Sequence, residues 1–314
     1  SAASDVYKRQ GLDAASGTGG LTKDSTPVIS GTGATAGDTI TLYAPDGTTV
    51  LGTALVAADG SWAVTVTSAL ADGTQALSVT ATDPAGNESG ATSLNITVDA
   101  TPPAALPNAA LDPVSGTGGL TKDNTPVVSG TGATAGDTVT LYGPDGTTVL
   151  GTAVVAADGT WSITPTTPLA EGVNALTVAA TDPAGNEGAT TPASVTVDTT
   201  APAAPTGVGL DAASGTGGLS KDTTPTIVGA GVAGDTITLY GTDGTTVLGT
   251  AVVAADGTWS ITPTAALAEG ANNLSVKATD PAGNQGPATA VAITIDTTAP
   301  TATLALSLIH ISEP

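Results

Sequence analysis

The stretch from 39 to 66, TITLYAPDGTTVLGTALVAADGSWAVTV, decides the fold. Ile40 and Leu42 fall on one side of an extended chain, and Thr39, Thr41 and Tyr43 on the other. That period of two marks a half-buried strand. Trp62, Val64 and Val66 form a second inward row. Asp46-Gly47 and Asp59-Gly60 sit between the alternating runs, and Asp-Gly in that position is a hairpin signal. Further along, Leu77, Val79 and Ala81 make a third row, and Leu94, Ile96 and Val98 a fourth. No stretch shows a helical period flanked by caps.

The same text then returns. SGTGGLTKDSTP at 16–27 reappears as SGTGGLTKDNTP at 115–126 and SGTGGLSKDTTP at 214–225. Trp62, Trp161 and Trp259 hold matching places, the third copy having lost one residue. A period near 100 residues is too long for a solenoid and suits an independently folding sandwich. The third copy reads as strands at 205–210, 225–230, 235–241, 245–253, 257–263, 272–279 and 289–296. The fold class is therefore all-β, an antiparallel β-sandwich of Greek-key type, three in tandem.

Composition agrees and narrows function. Six Lys and Arg face 28 Asp and Glu, a formal charge of -22. Such a chain repels nucleic acid and anionic membrane and attracts divalent cations and basic partners. Phe, Met and Cys are absent, so the core consists of small, mostly β-branched side chains, and disulfides and thiolate chemistry are excluded. No apolar run is long enough to span a bilayer.

The two ends match nothing in the repeats. Residues 1–10, SAASDVYKRQ, and 306–314, LSLIHISEP, resemble in-frame translations of sequencing-library adaptors and are set apart from fold reasoning. They contain the only Arg, Arg9, and the only His, His310. The remainder, 11–305, reads as an internal fragment. It divides into repeat 1 at 11–100 with a truncated first strand, repeat 2 at 101–199, repeat 3 at 200–298, and the start of a fourth at 299–305. Both ends are expected to fray.

The run TKDxTPxxSGTGxxxGDTxTLYxxDGTTVLGTAxVxxDGxW, followed by ATDPAGN and the linker DTTAP, resembles bacterial Ig-like repeats. Such repeats occur in very large, biofilm-associated adhesins exported by type I secretion, the RTX adhesins. The resemblance covers nearly all of 11–305. It implies three Ig-like domains in a long extracellular or cell-surface stalk, stiffened by calcium at or near the domain junctions. It also implies that each repeat's partners are its neighbours in a monomeric chain, with a surface or glycan target elsewhere in the parent protein.

The carboxylates sort by position. Asp46, Asp59, Asp72, Asp145, Asp158, Asp243 and Asp256 precede Gly and read as turn residues, as do Glu171 and Glu269, which replace Asp72. In an Ig-like sandwich the last strand exits beside the loops that the next domain presents. Asp99 should therefore lie near Asp182 of the TDPAGN loop, with Asp137 third, and Asp198 should face Asp280 and Asp235. Three carboxylates with carbonyls and water would give calcium its six to eight oxygens. The other reading has Asp99 and Asp198 bonding nearby Thr hydroxyls or amides in an extended linker. Asp24, Asp123 and Asp222 either complete the site or cap the loop before Pro27, Pro126 and Pro225.

The remaining candidates read blandly. The Trp residues share a face with core Val or Ile, the Tyr residues alternate outward, and Lys23, Lys122 and Lys221 offset the adjacent Asp. Asn87, Asn186 and Asn284 read as turn residues. Without His, Cys or Arg in 11–305, catalytic triads and His-based zinc sites are unbuildable, and the chain reads as no enzyme. Spacer repeats of an adhesin are the first functional reading. Accessory spacers of a secreted multidomain enzyme are the second, and a carbohydrate-binding repeat the third.

Overall fold

The structure, a computed structural model, describes residues 9–302. The chain folds into two compact units. One runs to Ser115 and includes 125–169 and 173–195; the other comprises 116–124, 170–172 and the chain from 196 onward. Each unit contains one complete junction between repeats.

In the first unit, repeat 1 places β1 at Arg9–Leu12, β2 at Leu21–Thr22, β3 at Val28–Thr32 and β4 at Thr39–Tyr43. Next come β5 at Val50–Leu55, β6 at Trp62–Thr65, β7 at Gly73–Thr82 and β8 at Thr92–Val98. Five strands form one sheet in the order β2-β8-β7-β4-β5, and three form the other in the order β1-β3-β6. Thr-rich β4 pairs on both sides, Ile40 opposite Ala54 and Ala81. Its inward row is sealed, Ile40 and Leu42 being fully buried with Ile29, Val64, Val79 and Ile96. Repeat 2, divided between the two units, supplies β9 at Ala110–Leu111, β10 at Leu120–Thr121, β11 at Val128–Gly130 and β12 at Thr138–Tyr142. It continues with β13 at Val149–Val154, β14 at Trp161–Ile163, β15 at Gly172–Thr181 and β16 at Thr191–Val197.

In the second unit, repeat 3 has β17 at Thr206–Leu210, β18 at Leu219–Ser220, β19 at Ile227–Ala230 and β20 at Thr236–Tyr240. It ends with β21 at Val247–Val252, β22 at Thr258–Ile261, β23 at Gly270–Thr279 and β24 at Thr289–Ile295. All seven strands expected here are present, their bounds within two residues. An eighth, β18, lies where Gly-rich sequence shows no alternation, and it pairs parallel to β24. The equivalents β2 and β10 do the same against β8 and β16, so each otherwise antiparallel sandwich carries one short parallel pair.

One Trp anchors each core. Trp62, Trp161 and Trp259 are each 4% exposed, which places them in the core as their alternation requires. Burying about 150–250 Å² at about 25 cal/mol/Å² is worth roughly 4–6 kcal/mol per indole. The ring fits because its cross-strand partner is glycine. A Cβ on Gly31, Gly130 or Gly229 would run into the indole Cζ2, which at Gly130 would stand only 2.5 Å away. The indole N–H groups themselves have no acceptor.

The expectation of fraying falls mostly outside the described residues. Within them it fails at the start, where Arg9 and Gln10 pair with Thr32 and Gly31 as part of β1. Main-chain groups make that ladder whatever side chain they carry. The Gln10 side-chain oxygen, Oε1, is buried without a partner.

Candidate metal centre

Each junction is built from the exit of one repeat and two loops of the next. In the first unit β8 ends at Val98, so Asp99 opens the linker. Asp137 closes the loop before β12, and Asp182 follows β15. The second unit repeats this with Asp198 after β16, Asp235 before β20 and Asp280 after β23.

These carboxylates feel one another. Asp137 is 3% exposed, and burial raises its carboxyl pKa above the ordinary 3.8, with the charges of Asp182 and Asp99 adding to the rise. Asp235, also 3% exposed, is raised in the same way by burial, then by Asp280 and Asp198. One oxygen of Asp235, Oδ2, is buried with no hydrogen-bond partner. An ionised carboxylate in such a place is costly unless a positive charge joins it. Among the described residues, however, no group of three or more His, Cys, Asp or Glu stands arranged to hold a metal ion.

Oxygens of the four neighbouring carboxylates are engaged locally. Asp99 accepts from the Thr101 amide at 3.3 Å, and Asp198 from the Thr200 amide at 3.1 Å. Asp182 is held by the Asn186 amide at 2.9 Å and its Nδ2 at 2.7 Å. Asp280 is held by Asn284 at 2.8 and 2.9 Å. Of the secondary candidates, Asp24 and Asp222 cap their own loops, accepting from Thr26 and Thr224. Asp123 donates its backbone N–H to Thr121 Oγ1.

Three sets of side chains do more than their sequence positions suggest. Asn186 and Asn284 reach past their loop to the carbonyls of Asp99 and Asp198, at 2.6 Å in both junctions. Lys23 donates to the Gly185 carbonyl at 2.8 Å and Lys122 to the Gly283 carbonyl at 3.0 Å, so they serve the next repeat rather than the adjacent Asp. Asp72 is no mere turn residue either. It accepts from the Ala100 amide and the Thr101 hydroxyl, and Glu171 and Glu269 grip Thr199 and Thr297 likewise. The signal for that last role is the substitution itself, since a pure turn residue has little reason to lengthen from Asp to Glu. The true hairpin residues are Asp46, Asp145 and Asp243, whose carboxylates collect amides and hydroxyls of the two following Thr. Those bonds lower the Asp46 pKa to about 2.

A sequence profile described as a bacterial Ig-like domain matches residues 9–100, 106–199 and 203–297. Comparison with curated proteins returns no match. Among solved structures, the chain is similar to a Ca2+-stabilized adhesin that helps an Antarctic bacterium reach out and bind ice. Identity is 26%, covering 91% of this chain and 73% of that one, with a TM-score of 0.36. A tetra-tandem repeat in the extending region of a large adhesion protein is 26% identical, covering 92% and 74%, with a TM-score of 0.28. The BSP domain of a biofilm associated protein is 15% identical, covering 94% and 68%, with a TM-score of 0.24.

Proposed function

This chain belongs to the bacterial Ig-like domain family, and from that premise we propose that its repeats are the spacers of a surface or secreted adhesin's stalk, stiffened by calcium at their junctions. The observation that carries the calcium part is Asp235. Its carboxylate is buried beside two more, with one oxygen unpartnered. Lys122, the cation reaching this junction, spends its bond on a carbonyl. Calcium would supply the missing positive charge. Asp198, Asp235 and Asp280 would hold it at one junction and Asp99, Asp137 and Asp182 at the other, with carbonyls and water completing about six to eight oxygens. Since the carboxylates are not preset around an ion, binding would draw them together. Site and stiffening would form in the same step.

Affinities of about 10⁻⁴–10⁻³ M, usual for extracellular modules, would leave the junctions empty inside a cell and filled outside. The repeats carry no catalytic role in this reading; they set distance.

The test is a thermal melt of the full chain in millimolar calcium and again in chelator. Calcium binding only the folded form raises the midpoint by mass action. We expect a rise of several degrees, lost in a variant with Asp99→Ala, Asp182→Ala, Asp198→Ala and Asp280→Ala, which disables both junctions. Coincident melts would remove calcium from the proposal and leave a plain spacer.

A further inference from the structure

We infer that each junction is held in register by a latch of protein groups alone, with Asn186 and Lys23 at the first and Asn284 and Lys122 at the second as positioning residues. A cation would lock this arrangement but would not create it. The inference stands whether or not calcium binds.

The linker is fixed from both sides. On the upstream side the repeat's own carboxylate seizes the first linker residues, Asp72 holding Ala100 and Thr101, Glu171 holding Thr199. On the downstream side the next repeat takes over. The Nδ2 of Asn186 donates to the Asp99 carbonyl at 2.6 Å while its amide N–H and the same Nδ2 hold Asp182. A side chain already fixed by its own loop loses little further freedom when it takes the linker carbonyl as a third contact. Lys23 then crosses the opposite way, from repeat 1 to the carbonyl of Gly185. The two bonds run in opposite directions across one interface, so neither a twist nor a withdrawal leaves both intact.

The linker also lies against the next repeat's backbone. A Cβ on Gly188 would stand 2.5 Å from the Pro103 carbonyl oxygen, and one on Gly286 would come closer still to that of Pro202. Further on, the Leu106 amide donates to Thr191 Oγ1 at 3.1 Å, and Thr289 Oγ1 to the Pro205 carbonyl at 2.7 Å. Both junctions use the same positions. Repeat 1 supplies the control, because Asn87 makes the same two bonds to Asp83, is exposed, and has no repeat before it among the described residues.

The chain has no Cys, so spin labels can be placed at will. Labels on Thr48→Cys and Thr147→Cys, equivalent exposed hairpin positions in repeats 1 and 2, report the junction by pulsed electron resonance. In chelator the otherwise native chain should give one narrow distance distribution. Asn186→Ala with Lys23→Ala should at least double its width, while Asn87→Ala leaves it unchanged. Far-ultraviolet circular dichroism and an unchanged Trp161 emission would show that the double variant is folded. A distribution as broad in the native chain as in the double variant, or a double variant as narrow as native, would overturn the latch. Adding calcium tests the other proposal separately. Narrowing of the double variant's distribution supports the ion site, and no narrowing counts against that site while leaving the latch as found in chelator.

Discussion

The loops that open repeat 1 and those that open repeat 2 are close copies in sequence and differ in surroundings. Asp38, Asp83, Asn87 and Ser89 correspond to Asp137, Asp182, Asn186 and Gly188. Asp38 is half-buried and Asn87 exposed, whereas Asp137 and Asn186 are 3% and 8% exposed. Where repeat 1 accommodates the side chain of Ser89, a Cβ on Gly188 would meet the Pro103 carbonyl oxygen at 2.5 Å. The two loops share their Asp and Asn residues, and among the described residues only the second has a repeat in front of it. The candidate centre is therefore a property of the tandem arrangement, absent from any repeat taken singly. It exists once per junction.

The comparison can be broken most forcefully at the glycines. Gly286→Ala forces a methyl into the Pro202 carbonyl and should destabilise repeat 3 by about 1–3 kcal/mol, as overpacking does. Gly90→Ala, beside the equivalent position Ser89 and at a site where a Cβ meets nothing within 4 Å, should stay within about 0.5 kcal/mol of native, the range of open surface sites. Denaturant titrations followed through Trp259 or Trp62, in chains whose other two Trp are Phe, read each repeat separately. Equal effects at the two positions would show that the linker does not press on the loop.

A smaller effect is expected at the buried carboxylates. In chelator, Asp235→Asn removes a charge that burial and two neighbours oppose, and should stabilise repeat 3. The same change should abolish its response to calcium. Asp38→Asn, with no upstream carboxylate to oppose it, should alter neither. If Asp235→Asn destabilises as Asp38→Asn does not, the carboxylate is held by a partner rather than opposed.

Acidity sharpens the same contrast. The folded-state pKa of Asp137 and of Asp235 is raised, so the folded chain binds the proton more tightly than the unfolded chain. Their ionised forms cost stability at neutral pH, and that cost is relieved as pH falls through the raised values. The hairpin carboxylates run the other way. Asp46 is lowered to about 2, so its contribution is present above the ordinary 3.8 and is lost as pH falls between the two. Melts in chelator should therefore rise slightly as pH falls from neutral through those raised values and fall in stronger acid. The early rise should be missing from a chain carrying both Asp137→Asn and Asp235→Asn. The smallest change is expected from Lys23→Ala alone, a few tenths of a kcal/mol for one solvent-exposed bond.

Most of the fold was legible because alternation is a local property. Ile40 and Leu42, Trp62 and Val64, Leu77 and Val79 declare their faces without reference to anything distant, and the Asp-Gly pairs mark where the chain turns back. The grouping of Asp99 with Asp137 and Asp182 was legible for another reason: topology fixes which loops face an exit, even before any side chain is placed. The latch was not legible. TDPAGN stands in all three copies, and nothing in it distinguishes Asn87, which serves only its loop, from Asn186, which serves a neighbour. Lys23 stands beside Asp24 in sequence and bonds a residue 162 positions away. The parallel strands β2, β10 and β18 stayed hidden too, since a two-residue strand has no period to read.

Those short strands bear on how a repeat answers a pull along its chain. β2 lies near the start of its repeat and β8 at the end, side by side and parallel. Stretching the repeat by its termini draws the two in opposite directions along their common axis. The bonds between them, among them Thr97 N–H to the Gly20 carbonyl and Asp99 N–H to the Thr22 carbonyl, are then sheared together rather than peeled one after another. A pull along the chain would meet this small patch before it reached the hydrophobic interior.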